Sequence, residues 1–146
     1  MITTPLEKLI EMWSIDAQID HTEPGLETLK IPNLHAKYLA QVTANSLVLK
    51  KLNLEYLQMR KIKNDYYCGR LSQEELKTYN FTPFQFILKS DINLYLDADV
   101  DLMKINAMKI PHEEAMTYCV AVVKELNSRT YQLRAYMDYL KFCAGG

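Results

Sequence analysis

Glycine is scarce in this 146-residue chain: there are four, and two of them are the final two residues. Proline numbers only five. So few turn formers leave little room for hairpins and favour long continuous elements, so the expected class is all-α. With Gly25 and Gly69 the only internal glycines, no glycine-rich phosphate cradle can be assembled. That excludes the usual NTPase and dinucleotide sites. Cysteine is sparse and odd in number: Cys68, Cys119 and Cys143 are widely spaced, and none stands in a C-x-x-C. Neither a disulfide framework nor a zinc site is expected, and a reduced, cytoplasmic setting is the default. The start, Met1-Ile-Thr-Thr-Pro-Leu-Glu, has no basic region followed by an apolar one, as a leader would. The longest strongly apolar run, Met116 to Val123, is too short to cross a bilayer, so no membrane role is expected.

Catalytic clusters are missing as well. His21, His35 and His112 are isolated, fall near element starts and read as surface residues. None has a second ligand at metal spacing on a helix face. Asp97-Ala98-Asp99-Val100-Asp101 resembles the opening of a calcium loop, but Leu102 stands where that loop needs glycine and Met108 where it needs glutamate. Acids opening a helix explain the run without a metal. No enzyme activity, cofactor or metal is expected.

What is present is helical periodicity. Thr4-Pro5-Leu6-Glu7 reads as a capped start, with Leu6, Leu9, Ile10, Trp13 and Ala17 forming one apolar stripe. Between Ile19 and Pro32 the pattern dissolves around Pro24-Gly25, which predicts an extended arm. Asn33 is the expected cap of a long second helix running to about Cys68. Its seam is Tyr38, Val42, Asn45, Leu49, Leu52, Tyr56, Met59, Lys63 and Tyr66, a four-three repeat with two polar entries. Leu47, Leu54 and Leu57 lie off that seam, which predicts a wider buried face. Gly69 ends the helix, and Ser72-Gln73-Glu74-Glu75 is a second capping box. Thr82-Pro83-Phe84-Gln85 predicts a helix carrying Phe84, Ile87 and Leu88 on one face, and another is expected from Asp97 to Ile110 with Val100, Met103 and Ala107 in register.

Pro111 then opens the last expected helix, with Glu113 and Glu114 in its first turn. Its seam is Met116, Cys119, Val123, Leu126, Thr130, Leu133, Met137, Leu140 and Ala144. A second set of large residues (Tyr118, Val122, Tyr131, Tyr136, Tyr139 and Phe142) lies beside it. Such a helix is either the centre of a monomer's core or packs both its own core and a neighbouring subunit. The second reading makes Met116, Val123, Leu126, Leu133, Met137, Leu140 and Phe142 the oligomerisation residues. The organisation expected is one compact unit, with residues 1–110 as a binding region and residues 111–146 as a C-terminal oligomerisation helix.

Net charge is −1, but the charges are partitioned. Residues 1–32 carry two basic groups against six acidic ones; residues 50–70 carry six basic against two acidic. The basic group comprises Lys50, Lys51, Arg60, Lys61, Lys63 and Arg70, with Tyr66 and Tyr67 close by. Cations with adjacent aromatics suit single-stranded nucleic acid, where phosphates meet the charges and bases stack on rings. A solvated face, or a helix end matched to its dipole, is the plainer alternative.

Lys61-Ile62-Lys63-Asn64-Asp65-Tyr66-Tyr67-Cys68-Gly69-Arg70 resembles the basic-x-basic-x-Asp-Tyr-Tyr-x-Gly-Arg stretch of the UvsY family, the recombination mediators of large tailed bacteriophages. The likeness continues in order through Leu96 to Asp101 and through Arg134, Met137, Phe142, Ala144 and Gly145. Upstream it touches Asp20, Thr22, Asn33, Lys37, Tyr38 and Leu39. The resemblance implies a non-enzymatic protein that binds single-stranded DNA. Such a protein helps a RecA-like recombinase assemble on strands coated by single-strand binding protein. It also implies a ring of about six or seven subunits held through the C-terminal region. The family's DNA-contacting basic pair corresponds to Lys61 and Lys63, the second a lysine that lacks arginine's bidentate fork. The competing reading is a helical scaffold that binds only protein.

Overall fold

The computed structural model describes residues 2–83 and 87–145, and among them there is no strand. The elements are α1 (Leu6–Asp16), α2 (Pro24–Tyr67), α3 (Gln73–Tyr79), a 3-10 turn (Lys89–Asp91), α4 (Ile92–Asp97) and α5 (Val100–Cys143). They form two compact units, one of residues 1–48 with 111–146, the other of residues 49–110. The all-α expectation holds.

The two prolines expected to break helices do not. Pro24 takes the first position of α2, where its missing N–H has no partner to lose. The helix then runs on through Pro32, which leaves the Thr28 carbonyl without its usual donor. Burial holds the turns beyond it: Tyr38 is fully buried and Leu34 packs on the same core. The expected arm shrinks to a short connection between Ala17 and Glu23, in which the Asp20 carboxylate accepts from the Thr22 N–H at 3.0 Å. Asn33 is interior rather than a cap. Pro111 likewise sits inside α5, so the two helices expected on either side of it are one. Thr4 does not cap α1: the preceding residue is Pro5 with no side-chain cap, and the Thr4 N–H donates to Gln41 Oε1 at 2.8 Å.

In the first unit Leu9, Tyr38, Ala115, Cys119, Val122 and Leu126 form the core, with Trp13 edge-on to Tyr38 at 5.6 Å. Polar side chains lock the end of α1. Arg129, buried, donates to the Asp16 and Ala17 carbonyls at 3.2 and 3.1 Å, two of the acceptors a helix terminus leaves open. Its guanidinium lies 5.4 Å from the Trp13 ring. The Asp16 carboxylate accepts from Lys37 Nζ at 2.7 Å and from the Tyr38 hydroxyl at 2.8 Å. Burial raises its pKa, but these hydrogen bonds outweigh it, and the net shift is downward. His112, expected at the surface, is half-buried, with Nδ1 2.9 Å from the oxygen of buried Asn45. That contact explains one polar entry in the α2 seam.

The second unit contains the other polar entry. All nine seam positions of α2 are buried or half-buried, as expected, whereas Leu47, Leu54 and Leu57 are exposed. The start of α5 turns opposite to expectation: Leu102 is buried, while Val100 (74% exposed), Met103 and Ala107 face outward. Asp99 caps that first turn, its Oδ1 accepting the N–H groups of Asp101 and Leu102 at 2.9 and 3.1 Å. The capping box of α3 is present, with Ser72 Oγ accepting from Glu75 N–H and Glu75 Oε1 accepting from Ser72 N–H. Of the helix expected near Thr82, Phe84 lies outside the described residues, and Ile87 and Leu88 are not helical.

Candidate nucleic-acid interface

The Asp65-Tyr66-Tyr67-Cys68-Gly69-Arg70 run is a helix stop. Gly69 adopts φ 71°, its N–H donates to the Tyr66 carbonyl at 3.1 Å, and the Arg70 N–H donates to the Asp65 carbonyl at 2.8 Å. This is the six-to-one and five-to-two pairing that closes a helix on a left-handed residue. The Asp65 carboxylate then lies between two cations, 3.6 Å from Lys61 Nζ and 3.8 Å from an Arg70 guanidinium nitrogen. Both are outward: the Lys61 side chain is 83% exposed and that of Arg70 66%. Arg60 is half-buried and donates to the Tyr56 hydroxyl at 3.3 Å. Lys50 and Lys51 are exposed earlier on α2. Lys50 and Lys61 are about three turns apart and share one helical face, with exposed Leu54 and Leu57 between them.

Lys63 is placed differently from Lys61. Its side chain is 7% exposed, and Nζ lies 2.7 Å from Asp101 Oδ2 and 3.2 Å from Asp99 Oδ2. The Phe81 ring centroid is 4.1 Å away and that of Tyr66 5.6 Å. Burial pulls the Lys63 pKa down, the hydrogen bonds to Asp101 and Asp99 more than offset it, and the net shift is upward. Asp99 shows the mirror case: burial raises it, but donation from Tyr67, the Leu102 N–H and Lys63 leaves it lowered. The Asp97–Asp101 run, which resembles a calcium loop in sequence, thus supplies a helix cap and a lysine clamp.

The tyrosines belong to the same cluster. Tyr66 is buried, its hydroxyl donating to the Thr82 carbonyl and its ring 4.9 Å from Phe81 and 5.1 Å from Tyr67. Tyr67 is half-buried, donates to Asp99 Oδ2 at 2.5 Å and packs on Tyr95 at 5.6 Å. Burial, and then Asp99, push its pKa above the usual tyrosine range. Sequence reasoning missed Phe81, which a second left-handed stop at Asn80 (φ 57°) delivers to Lys63. It also missed that Asp99 and Asp101 answer Lys63. The available signal was the match between basic-x-basic and acid-x-acid at ends of successive long helices.

The oligomerisation candidates divide. Leu126 and Leu133 are buried in their own unit, and Met116, Val123 and Met137 are half-buried. Leu140 and Phe142 are exposed, Phe142 by 80%, beside exposed Tyr139. Among the described residues no helix is long and apolar enough to cross a membrane, and no group of three or more His, Cys, Asp or Glu could hold a metal ion.

A family model described as recombination, repair and ssDNA binding protein UvsY matches residues 12–146. The recombination protein uvsY of Enterobacteria phage T4 is 24% identical over 140 residues, covering 96% of this chain and 98% of that protein. Two crystal structures of the bacteriophage T4 recombination mediator protein UvsY share the fold. The lattice type II form has a TM-score of 0.84 at 23% identity, over 97% of this chain and 98% of that one. The lattice type IV form has a TM-score of 0.82 at 22% identity, over 95% and 99%. With its helical order and nearly its whole length accounted for, this chain belongs to the UvsY family.

Proposed function

We propose that this protein is a recombination mediator. It binds single-stranded DNA as a homo-oligomer and promotes loading of a RecA-like recombinase onto strands coated by single-strand binding protein. Family membership over residues 12–146 is the observation that carries this reading. The outward cations support it: Lys61 and Arg70 at the end of α2 and Lys50 and Lys51 further back, with half-buried Arg60 beside them, are a surface for phosphates. Contacts of this kind are insensitive to sequence and weaken steeply with salt. Tyr66 and Tyr67 act by shaping that surface from behind rather than by stacking on bases, since both rings are engaged within the unit. A ring would present the patch repeatedly to one strand and raise avidity without new contacts. Leu140 and Phe142, exposed near the end of α5, are the side chains offered to a neighbouring copy.

The test is fluorescence anisotropy of a labelled oligonucleotide across a salt series. Wild type should bind strands of different sequence alike, with affinity falling steeply as salt rises. Lys61→Ala should bind more weakly and with a flatter salt dependence. Binding that is absent at low salt would leave the protein-only scaffold in place of this reading.

A further inference from the structure

The two lysines of Lys61-Ile62-Lys63 point in opposite senses, one into solvent and one into the unit. We propose that Lys63 is a positioning residue that never meets the strand: it fastens the end of α2 to the start of α5, so that Lys61 and Arg70 are held outward in fixed register. The assignment rests on the single-stranded DNA reading above and divides labour within its basic segment.

The geometry commits Lys63 fully. Two carboxylates approach Nζ at 2.7 and 3.2 Å, and a phenyl face covers it at 4.1 Å. To reach a phosphate, Nζ would have to leave both carboxylates and expose the buried Asp99, already the cap of α5 and the acceptor for Tyr67. A buried acid stripped of its cation is strongly unfavourable, and one phosphate contact in water returns little of that loss. Asp99 also caps the turn that carries buried Leu102, and Tyr66, three residues after Lys63, packs on Phe81. Lys63 is therefore the hub joining α2, the Phe81 segment and α5 within the second unit, two residues from the exposed Lys61.

The experiment measures single-stranded DNA affinity over a salt series together with the thermal midpoint for full-length wild type, Lys61→Ala, Lys63→Met and Asp101→Asn. Removing one cation from the phosphates flattens the slope of log affinity against log salt by about 0.7 per site. Lys61→Ala should flatten the slope and leave the midpoint in place. Lys63→Met should lower the midpoint and weaken binding several-fold with the slope unchanged. Asp101→Asn removes one of the two carboxylates that hold Lys63 and loosens its tether, so a contact role for Lys63 demands tighter binding, whereas a positioning role demands equal or weaker binding and a lower midpoint. Tighter binding by Asp101→Asn, or a flattened slope with an unmoved midpoint for Lys63→Met, overturns the assignment. Should Lys63→Met not fold, the Asp101→Asn arm decides alone. Wild type that binds no strand refutes the DNA reading instead, and the thermal midpoints of Lys63→Met and Asp101→Asn, both lowered if the clamp exists, still test it.

Discussion

Gly69 sits in the left-handed region at φ 71°, with open space around its α-carbon. A methyl group there meets no neighbour, so Gly69→Ala isolates the conformational cost of that backbone, about 1–2 kcal/mol. The expected result is a thermal midpoint lowered by several degrees without loss of fold. An unchanged midpoint would mean the stop tolerates another conformation. Titration gives a second residue-level expectation. Asp16 and Asp99 are held below the usual carboxylate value of 3.8, so their stabilisation is present above that value and is lost as pH falls through their lowered values. Lys63 is raised above 10.5, so its share is present below that value and lost only as pH climbs past it. The share of these three groups should therefore be constant between these limits, and that of Asp16 and Asp99 should fall on the acid side. Asp99→Asn should be less stable near neutrality but lose less on acidification, as followed by far-ultraviolet circular dichroism. Trp13, the only tryptophan, separately reports release of α1 through its fluorescence.

The helices follow local rules where local chemistry decides, and depart from them where packing does. Ser72→Ala should remove about 1 kcal/mol by deleting the capping box of α3, measured by chemical denaturation. That box was legible in sequence because it needs only residues three apart. The α2 seam was legible for a similar reason: its period is fixed by helix geometry, and all nine positions face inward. Pro32 and Pro111 misled because the rule that proline ends a helix is local, while Leu34, Tyr38 and Ala115, buried or packed on the core, hold the chain helical past them. Val100, Met103 and Ala107 misled because apolar spacing alone does not choose which stripe is buried; here it is the stripe of Leu102, next to the Asp99 cap and the Lys63 clamp. Within the basic segment the cations were legible by type, but not which of them point outward. That choice depends on Asp99, Asp101 and Phe81, 18 to 38 residues away in sequence.

For the whole molecule, the proposal assigns assembly to the exposed apolar end of α5. Leu133 is 3% exposed and belongs to the core, so a charge there would unfold the unit rather than dissociate subunits. Leu140→Ser with Phe142→Ser leaves that core untouched. This variant should retain its helicity and give smaller species by light scattering. Unchanged mass with intact helicity would move the subunit interface elsewhere. Smaller species should also bind single strands more weakly at equal protomer concentration, because avidity falls. The central claim, that the assembly loads a recombinase, is tested most directly by filament formation on single strands precoated with the cognate single-strand binding protein. The measurement is the lag before the cognate recombinase begins ATP hydrolysis on the strand. The account predicts that adding this protein shortens the lag on coated strands and changes it little on bare ones, and that Lys61→Ala shortens it less. A lag on coated strands that is the same with and without the protein would contradict it.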